Sequence, residues 1–233
     1  MQVERFSTGR VRPKRASSGP RRYLGGGWSD DTLPVNAYLV RHTDGLLLFD
    51  TGQTARAAAP GYHQVWHPYL RLARFELGPD DEIGPQLARA GIEPARVRWI
   101  VLSHLHTDHV GGVGGFPGAH VIVSRIEWER AQGLAGKLRG YVPQHWPVEV
   151  VPELVDCGGP PVGPFAGSFD VASDGTMLVV PTPGHTPGHV SLVVRDAAGA
   201  YFLGGDVPAG LPPEIAAFCA DKRLTVLLAH SSA

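Results

Sequence analysis

Thiols, surplus charge and apolar runs behind the N-terminal segment are all scarce in this chain. Cysteine occurs twice in 233 residues, as Cys157 and Cys219. Two are too few for a disulfide framework and are not spaced as a zinc knuckle, so a cytoplasmic location is expected. Charged residues make up 18% of the chain and nearly cancel, to a formal net charge of −1. That balance gives no general attraction to phosphate backbones, and no nucleic-acid partner is expected. One local exception stands out: seven of the 21 Lys and Arg residues (Arg5, Arg10, Arg12, Lys14, Arg15, Arg21 and Arg22) fall within the first 22 positions. Residues 1–34 therefore read as a solvated basic arm or loop, apart from a possible edge strand at Val3 to Ser7. With no apolar stretch behind it, that segment resembles neither a secretory signal nor a membrane span.

What is abundant is apolar sequence cut into short pieces. Hydrophobic residues reach 43%, and 30 glycines and 21 prolines are scattered between them. That suits one large domain over residues 1–233, burying roughly 70 to 75% of its unfolded surface. Strand-length runs are expected at Val35 to Val40, Leu46 to Phe49, Val97 to Leu102, Val121 to Val123, Val148 to Val151, Phe169 to Val171, Met177 to Val180, Val190 to Val194, Tyr201 to Leu203 and Leu224 to Ala229. Helices are expected after Asp80-Asp81-Glu82, where Ile83, Leu87 and Ala90 share a face, after Ser124 with Glu127 as its capping-box partner, and near Pro213 to Ala220. Residues 53–79 are ambiguous but aromatic, with Tyr62, His63, Trp66, His67, Tyr69 and Phe75. Ala37 to Gly52 can be laid over Ser191 to Asp206, matching Val40 with Val194, Arg41 with Arg195 and Gly45 with Gly199. Two similar β-rich halves with helices outside would make a four-layer αββα sandwich of the α/β class.

The most demanding stretch is Ser103-His104-Leu105-His106-Thr107-Asp108-His109. Four potential metal ligands occupy six residues immediately after a strand. Crowded together, they would repel one another or stay unsatisfied without a cation between them. Three further donors also follow apolar strands: His185 in Pro183-Gly184-His185, Asp206 in Gly205-Asp206, and His230. The seven nitrogen and oxygen donors are too many for one tetrahedral zinc and suit two adjacent metals, which can share a water and polarise a carbonyl or phosphoryl oxygen. That is hydrolytic chemistry on a small molecule.

His104-Leu105-His106-Thr107-Asp108-His109 resembles the H-x-H-x-D-H signature of the metallo-β-lactamase superfamily, and Asp50, His185, Asp206 and His230 follow in the family's order. The resemblance spans about Val35 to the C terminus and implies the αββα fold, with the site at one edge of the sandwich. It further implies that His104, His106 and His185 hold one metal, that Asp108, His109 and His230 hold a second, and that Asp206 bridges them. Asp50 would orient a ligand histidine through its free ring nitrogen. Zinc is the first expectation, with iron or manganese also used in the family. The His185-Thr186-Pro187-Gly188-His189 segment offers a second histidine, and His189 is expected to be buried rather than ligating.

Within the family, Pro34 to Val40, the Asp50-Thr51-Gly52 strand end and Thr182 to Leu192 look most like the N-acyl homoserine lactonases. The implied reaction is lactone opening by a metal-bridging hydroxide, with Asp108 relaying a proton. Trp28, Trp66, Tyr69, Tyr141 and Trp146 could wall an acyl-chain pocket. Two features depart from that branch: Ala209 stands where the lactonases carry a tyrosine, and the segment from Asp206 to His230 is short. The alternatives are a thioesterase resembling glyoxalase II and a mono-iron oxidoreductase resembling persulfide dioxygenase.

Overall fold

The computed structural model describes residues 1–14, 27–59, 61–62, 73–197, 199–208 and 210–232. Among these residues, twelve strands form two sheets. The first contains β1 (Gln2–Pro13), β2 (Leu33–His42), β3 (Gly45–Phe49), β4 (Ala73–Glu76), β5 (Val97–Val101), β6 (His120–Ser124) and β7 (Glu153–Val155), in the spatial order β4-β1-β2-β3-β5-β6-β7. The second contains β8 (Phe169–Asp170), β9 (Met177–Pro181), β10 (Val190–Arg195), β11 (Ala200–Leu203) and β12 (Thr225–Leu227), in the order β12-β11-β10-β9-β8. Between them in sequence lie the helices α1 (Ile83–Arg89), α2 (Thr107–Val110), α3 (Arg125–Ala131), α4 (Gly133–Leu138) and α5 (Pro213–Asp221).

Side-chain alternation along the strands sorts the buried residues into three layers of core. Tyr38, Val40, Leu47, Phe49 and Val101 of the first sheet meet Met177, Val179, Leu192, Val194 and Leu203 of the second. On the opposite face of the first sheet, Leu39, Leu48 and Ile100 pack with Ile83 and Leu87 of α1. On the outer face of the second, Leu178, Val180, Val193 and Phe202 pack with Ile215 and Phe218 of α5. The result is the expected αββα sandwich, each fully buried large side chain contributing roughly 1.5–3 kcal/mol. Both matched hairpins exist and share a register: Arg41 faces Leu46 across β2 and β3, and Arg195 faces Ala200 across β10 and β11.

Several expectations need correction. Residues 2–13 are not an arm, and Val3 to Ser7 is not at an edge, because β1 lies between β2 and β4 and pairs antiparallel with both. Counting charge obscured its alternation: Arg10 bonds Thr32 and Arg12 pairs with Glu76 at 3.1 Å, leaving the strand free to complete the sheet. Arg15, Arg21 and Arg22 lie outside the described residues. Val148 to Val151 is not a strand; Val148 and Val151 are 93% and 84% exposed, and the pairing falls on Glu153–Val155 instead. Ser124 caps α3 without a side-chain hydrogen bond, and Glu127 is fully buried rather than folded back on the helix start. In the ambiguous aromatic segment, His63, Trp66, His67 and Tyr69 lie outside the described residues.

Candidate metal centre

Strand ends deliver the predicted donors to one edge of the sandwich. Asp50 follows β3, the His104 to His109 segment follows β5, His185 follows β9, Asp206 follows β11, and His230 follows β12. The parallel neighbours β3 and β5 bring Asp50 beside Ser103, while Val190 N–H donates to the Ser103 carbonyl at 2.9 Å and ties the loop to the second sheet. Gly111 and Gly112 are small for a reason different from a close approach to ligand: a Cβ on them would stand 2.6 Å from Thr54 N and 2.4 Å from Thr51 O. They let the loop lie flat on the segment after β3.

Three overlapping groups of donor atoms result, each with all atoms within 4.8 Å of one another: His104, His106 and His185; His104, His109 and Asp206; Asp108, His109 and His230. In the first, His106 Nδ1 lies 3.0 Å from both His104 Nε2 and His185 Nε2. In the last, His230 Nε2 lies 3.5 Å from Asp108 Oδ2 and 3.2 Å from Asp206 Oδ1. Asp206 reaches across the groups, its Oδ2 being 3.3 Å from His185 Nε2 and its Oδ1 3.3 Å from His109 Nε2. All seven predicted ligands are thus brought together.

The chemistry of this donor set fits metal ions. Three imidazole nitrogens converge at separations close to the roughly 3.3 Å edge of a tetrahedron with 2.0–2.1 Å bonds. His109 Nε2 and Asp206 Oδ1 are buried and face each other at 3.3 Å, as an ion pair outside hydrogen-bond geometry. Burying two such atoms with unmet hydrogen-bonding capacity is costly, and a shared cation removes the cost. Protonation follows the same division. Burial, reinforced by neighbouring histidines, holds His104 well below the usual imidazole range and brings His106 down to about 4. Those rings are neutral, with lone pairs available. Burial also opposes a charge on His109, but Asp206, Asp50 and Asp108 outweigh it and raise the ring well above its ordinary value. Burial opposes a charge on His230, but the Asp206 carboxylate beside it, with Asp108, overcomes this and brings the ring up to about 9. Asp206 in turn is held well below the usual carboxylate range, His109 and His230 prevailing over desolvation.

Supporting groups fix the donors. Asp50 is buried and accepts from Ser103 N at 2.7 Å, Ser103 Oγ at 2.9 Å and His109 Nδ1 at 2.8 Å. With its Nδ1–H committed to Asp50, the His109 ring would turn an Nε2 lone pair towards a bound ion. Asp50 thus lies against the Nδ1 side of the His109 ring. His189 is buried, as expected, and brought down to about 3 mainly by desolvation. Its Nδ1 bonds Thr182 Oγ1 at 2.9 Å and its Nε2 accepts from Asp206 N at 3.1 Å, so it sets the backbone of the carboxylate that spans both groups. The short C-terminal segment is anchored on β2: Tyr38 OH donates to Leu228 O at 2.7 Å, Asn36 Nδ2 to Ser231 O at 3.0 Å, and His230 Nδ1 to Pro34 O at 2.7 Å.

Reasoning from sequence missed Glu127. Its Oε1 accepts from Leu105 N at 3.1 Å, between the two histidines of the loop, and Tyr141 leans on the same carboxylate while packing against the His106 ring. The signal was present in the Ser124 to Glu127 spacing but pointed to a helix cap. Of the aromatics expected to wall a pocket, Tyr141 and Trp146 line a cavity beside α3 and α4, Trp28 sits under Arg74, and Trp66 and Tyr69 are outside the described residues. Ala209, at the position of the expected tyrosine, is outside them too.

This arrangement defines a class of protein. The sequence model of the metallo-beta-lactamase superfamily matches residues 30–201, and the chain belongs to that superfamily. It is 34% identical over 175 residues to the N-acyl homoserine lactonase AttM of Rhizobium radiobacter, the alignment covering 73% of this chain and 63% of AttM. The chain therefore spans less than two thirds of that relative's length. Its fold is similar to that of a B. thuringiensis AiiA variant with N-decanoyl-L-homoserine bound at the active site, with a TM-score of 0.73 and 22% identity over 98% of this chain and 92% of AiiA. It is also similar to AidC, a dizinc quorum-quenching lactonase in complex with a product, with a TM-score of 0.64 and 17% identity over 98% and 86% of the two chains. Among the described residues, no helix is long and apolar enough to cross a membrane.

Proposed function

We propose that this protein is a dinuclear metal-dependent hydrolase that opens the ring of an N-acyl homoserine lactone or a related ester. The observation that carries the reading is the convergence of seven donors around the buried, hydrogen-bond-free His109 Nε2 and Asp206 Oδ1, and the similarity to AttM directs it to lactones. His104, His106 and His185 would hold one ion, Asp108, His109 and His230 the other, and Asp206 both. Nitrogen and oxygen donors without thiolate suit zinc, the metal named for AidC, and also admit iron or manganese. Bound there, the ions would supply a water of near-neutral pKa and a Lewis acid for the ester carbonyl.

The chain's own residues do the rest. Asp50 and Ser103 lock the His109 ring so that its orientation survives a change of charge in the site. The His189 bond to Asp206 N fixes the backbone from which the spanning carboxylate projects. Asp108, 6% exposed and beside His230, would take the proton released on attack and return it to the departing alkoxide. His104 and His109 are sealed from solvent, whereas the His185 side chain is 38% exposed, so the ester approaches from the His185 side.

A glutathione thioester suits the site less well. Apart from His185 and Asp206, the one charged residue among the described residues lining the adjoining cleft is Glu214, of the wrong sign for glutathione's carboxylates. The reading is tested by a hydrolysis panel of short- and long-chain acyl homoserine lactones, a simple aliphatic lactone, lactoylglutathione and a β-lactam, run with metal quantification. Turnover of the acyl homoserine lactones is expected; fast thioester cleavage beside no lactone turnover would overturn it.

A further inference from the structure

A cleft of about 350 Å³ opens onto the donor cluster, with His185 and Asp206 forming part of its wall. Pro164, Phe165, Ala166, Val207, Pro212 and Ile215 line it. It lies at the small end of the size range of ligand pockets, roughly 300–1,000 Å³, and its proline-rich walls are preformed. The larger cavity beside α3 and α4, of about 560 Å³, lacks all seven donors in its lining, and Tyr141, which lines it, packs against the His106 ring. Glu214, in the first turn of α5, lines the donor-side cleft and is exposed.

Resting on the lactonase reading above, we propose that this cleft receives the acyl chain of the substrate and that Glu214 restricts it to uncharged chains. A chain entering from His185 runs along the apolar lining that includes Phe165 and Ile215, where each buried methylene tightens binding about fourfold. A chain ending in carboxylate meets the like charge of Glu214 at the cleft wall, which disfavours it. Val207 and Glu214, seven residues apart in sequence, both line the cleft, so the start of α5 forms part of its wall.

The test compares kcat/KM for N-butanoyl and N-decanoyl homoserine lactone, and for an analogue of the latter with a terminal carboxylate. Ala166→Trp, at an exposed position, should lower the decanoyl-to-butanoyl ratio at least tenfold. Glu214→Lys should raise the carboxylated-to-neutral ratio about tenfold. Val148→Trp, at the larger cavity, should leave both ratios unchanged. Independently, titrating metal-free protein with N-decanoyl homoserine lactone should shift the NMR signals of the Ile215 methyls and not those of Val142 or Val150. Lactone turnover in the wild type with ratios unmoved by Ala166→Trp and Glu214→Lys, or shifts at Val142 and Val150 instead, would overturn the cleft assignment alone. Absence of lactone turnover with Ile215 shifted would overturn the reaction and leave the cleft standing.

Discussion

Replacing Asp50 by Asn isolates one charge in the site. Asp50 sits at φ 61° directly after β3, a left-handed conformation that Asn tolerates as readily as Asp, so the backbone is not the variable. The carboxylate accepts three hydrogen bonds, from Ser103 N, Ser103 Oγ and His109 Nδ1. An amide can keep the bond from Ser103 N through its oxygen, but its NH₂ then faces the His109 Nδ1–H. The ring must move its proton to Nε2 or rotate, and either change removes the lone pair aimed at Asp206. A charge-assisted bond of this kind is worth about 1.5–3 kcal/mol, and groups behind a metal ligand typically govern affinity by about 10–100-fold. Competition with a chelator of known affinity should therefore show the ion held by Asp108, His109 and His230 weakened by about 10–100-fold, and the one held by His104, His106 and His185 changed by less than about threefold. Wild-type affinity at both sites in Asp50→Asn would refute the orienting role.

Three further outcomes follow from the geometry. Glu127→Ala leaves Leu105 N without its acceptor and should weaken the ion at His104 and His106 about tenfold by the same competition assay, with KM unchanged. Gly188→Ala would place a Cβ 2.2 Å from Glu127 N, forcing apart the His185 turn and α3; urea denaturation should register a loss of about 1–3 kcal/mol. In chelator-treated protein, the unfolding midpoint should be highest near pH 6.5. His189, brought down to about 3, and His106, to about 4, bind fewer protons folded than unfolded, so their contribution is complete above pH 6.5 and lost as pH falls. His230, brought up to about 9, binds more protons folded, so its contribution is complete below pH 6.5 and lost as pH rises towards 9. Adding metal should flatten the alkaline arm, because the His230 nitrogen is then committed; an alkaline arm unaltered by metal would count against His230 as a ligand.

The donors were legible because their chemistry is local: histidines and carboxylates placed directly after apolar strands announce a cation wherever the strands lead. The hairpins were legible for a similar reason, since strand alternation and the turns at Gly45 and Gly199 fix the register of β2 with β3 and of β10 with β11. Glu127 was not, because its partner Leu105 N lies 22 residues away in sequence and becomes a neighbour only when β5 and β6 pair. The strand β1 was masked by its arginines, whose partners Thr32 and Glu76 lie in distant segments. Val148 to Val151 misled in the opposite sense: an apolar run of strand length remained exposed because the pairing beside β6 is taken by Glu153–Val155.

The central claim is that the seven donors hold two ions, and metal counting by mass spectrometry on native, metal-replete protein tests it most directly. Two ions per chain are expected, with Asp206→Ala losing at least one of them. One ion per chain, unchanged in Asp206→Ala, would contradict the account.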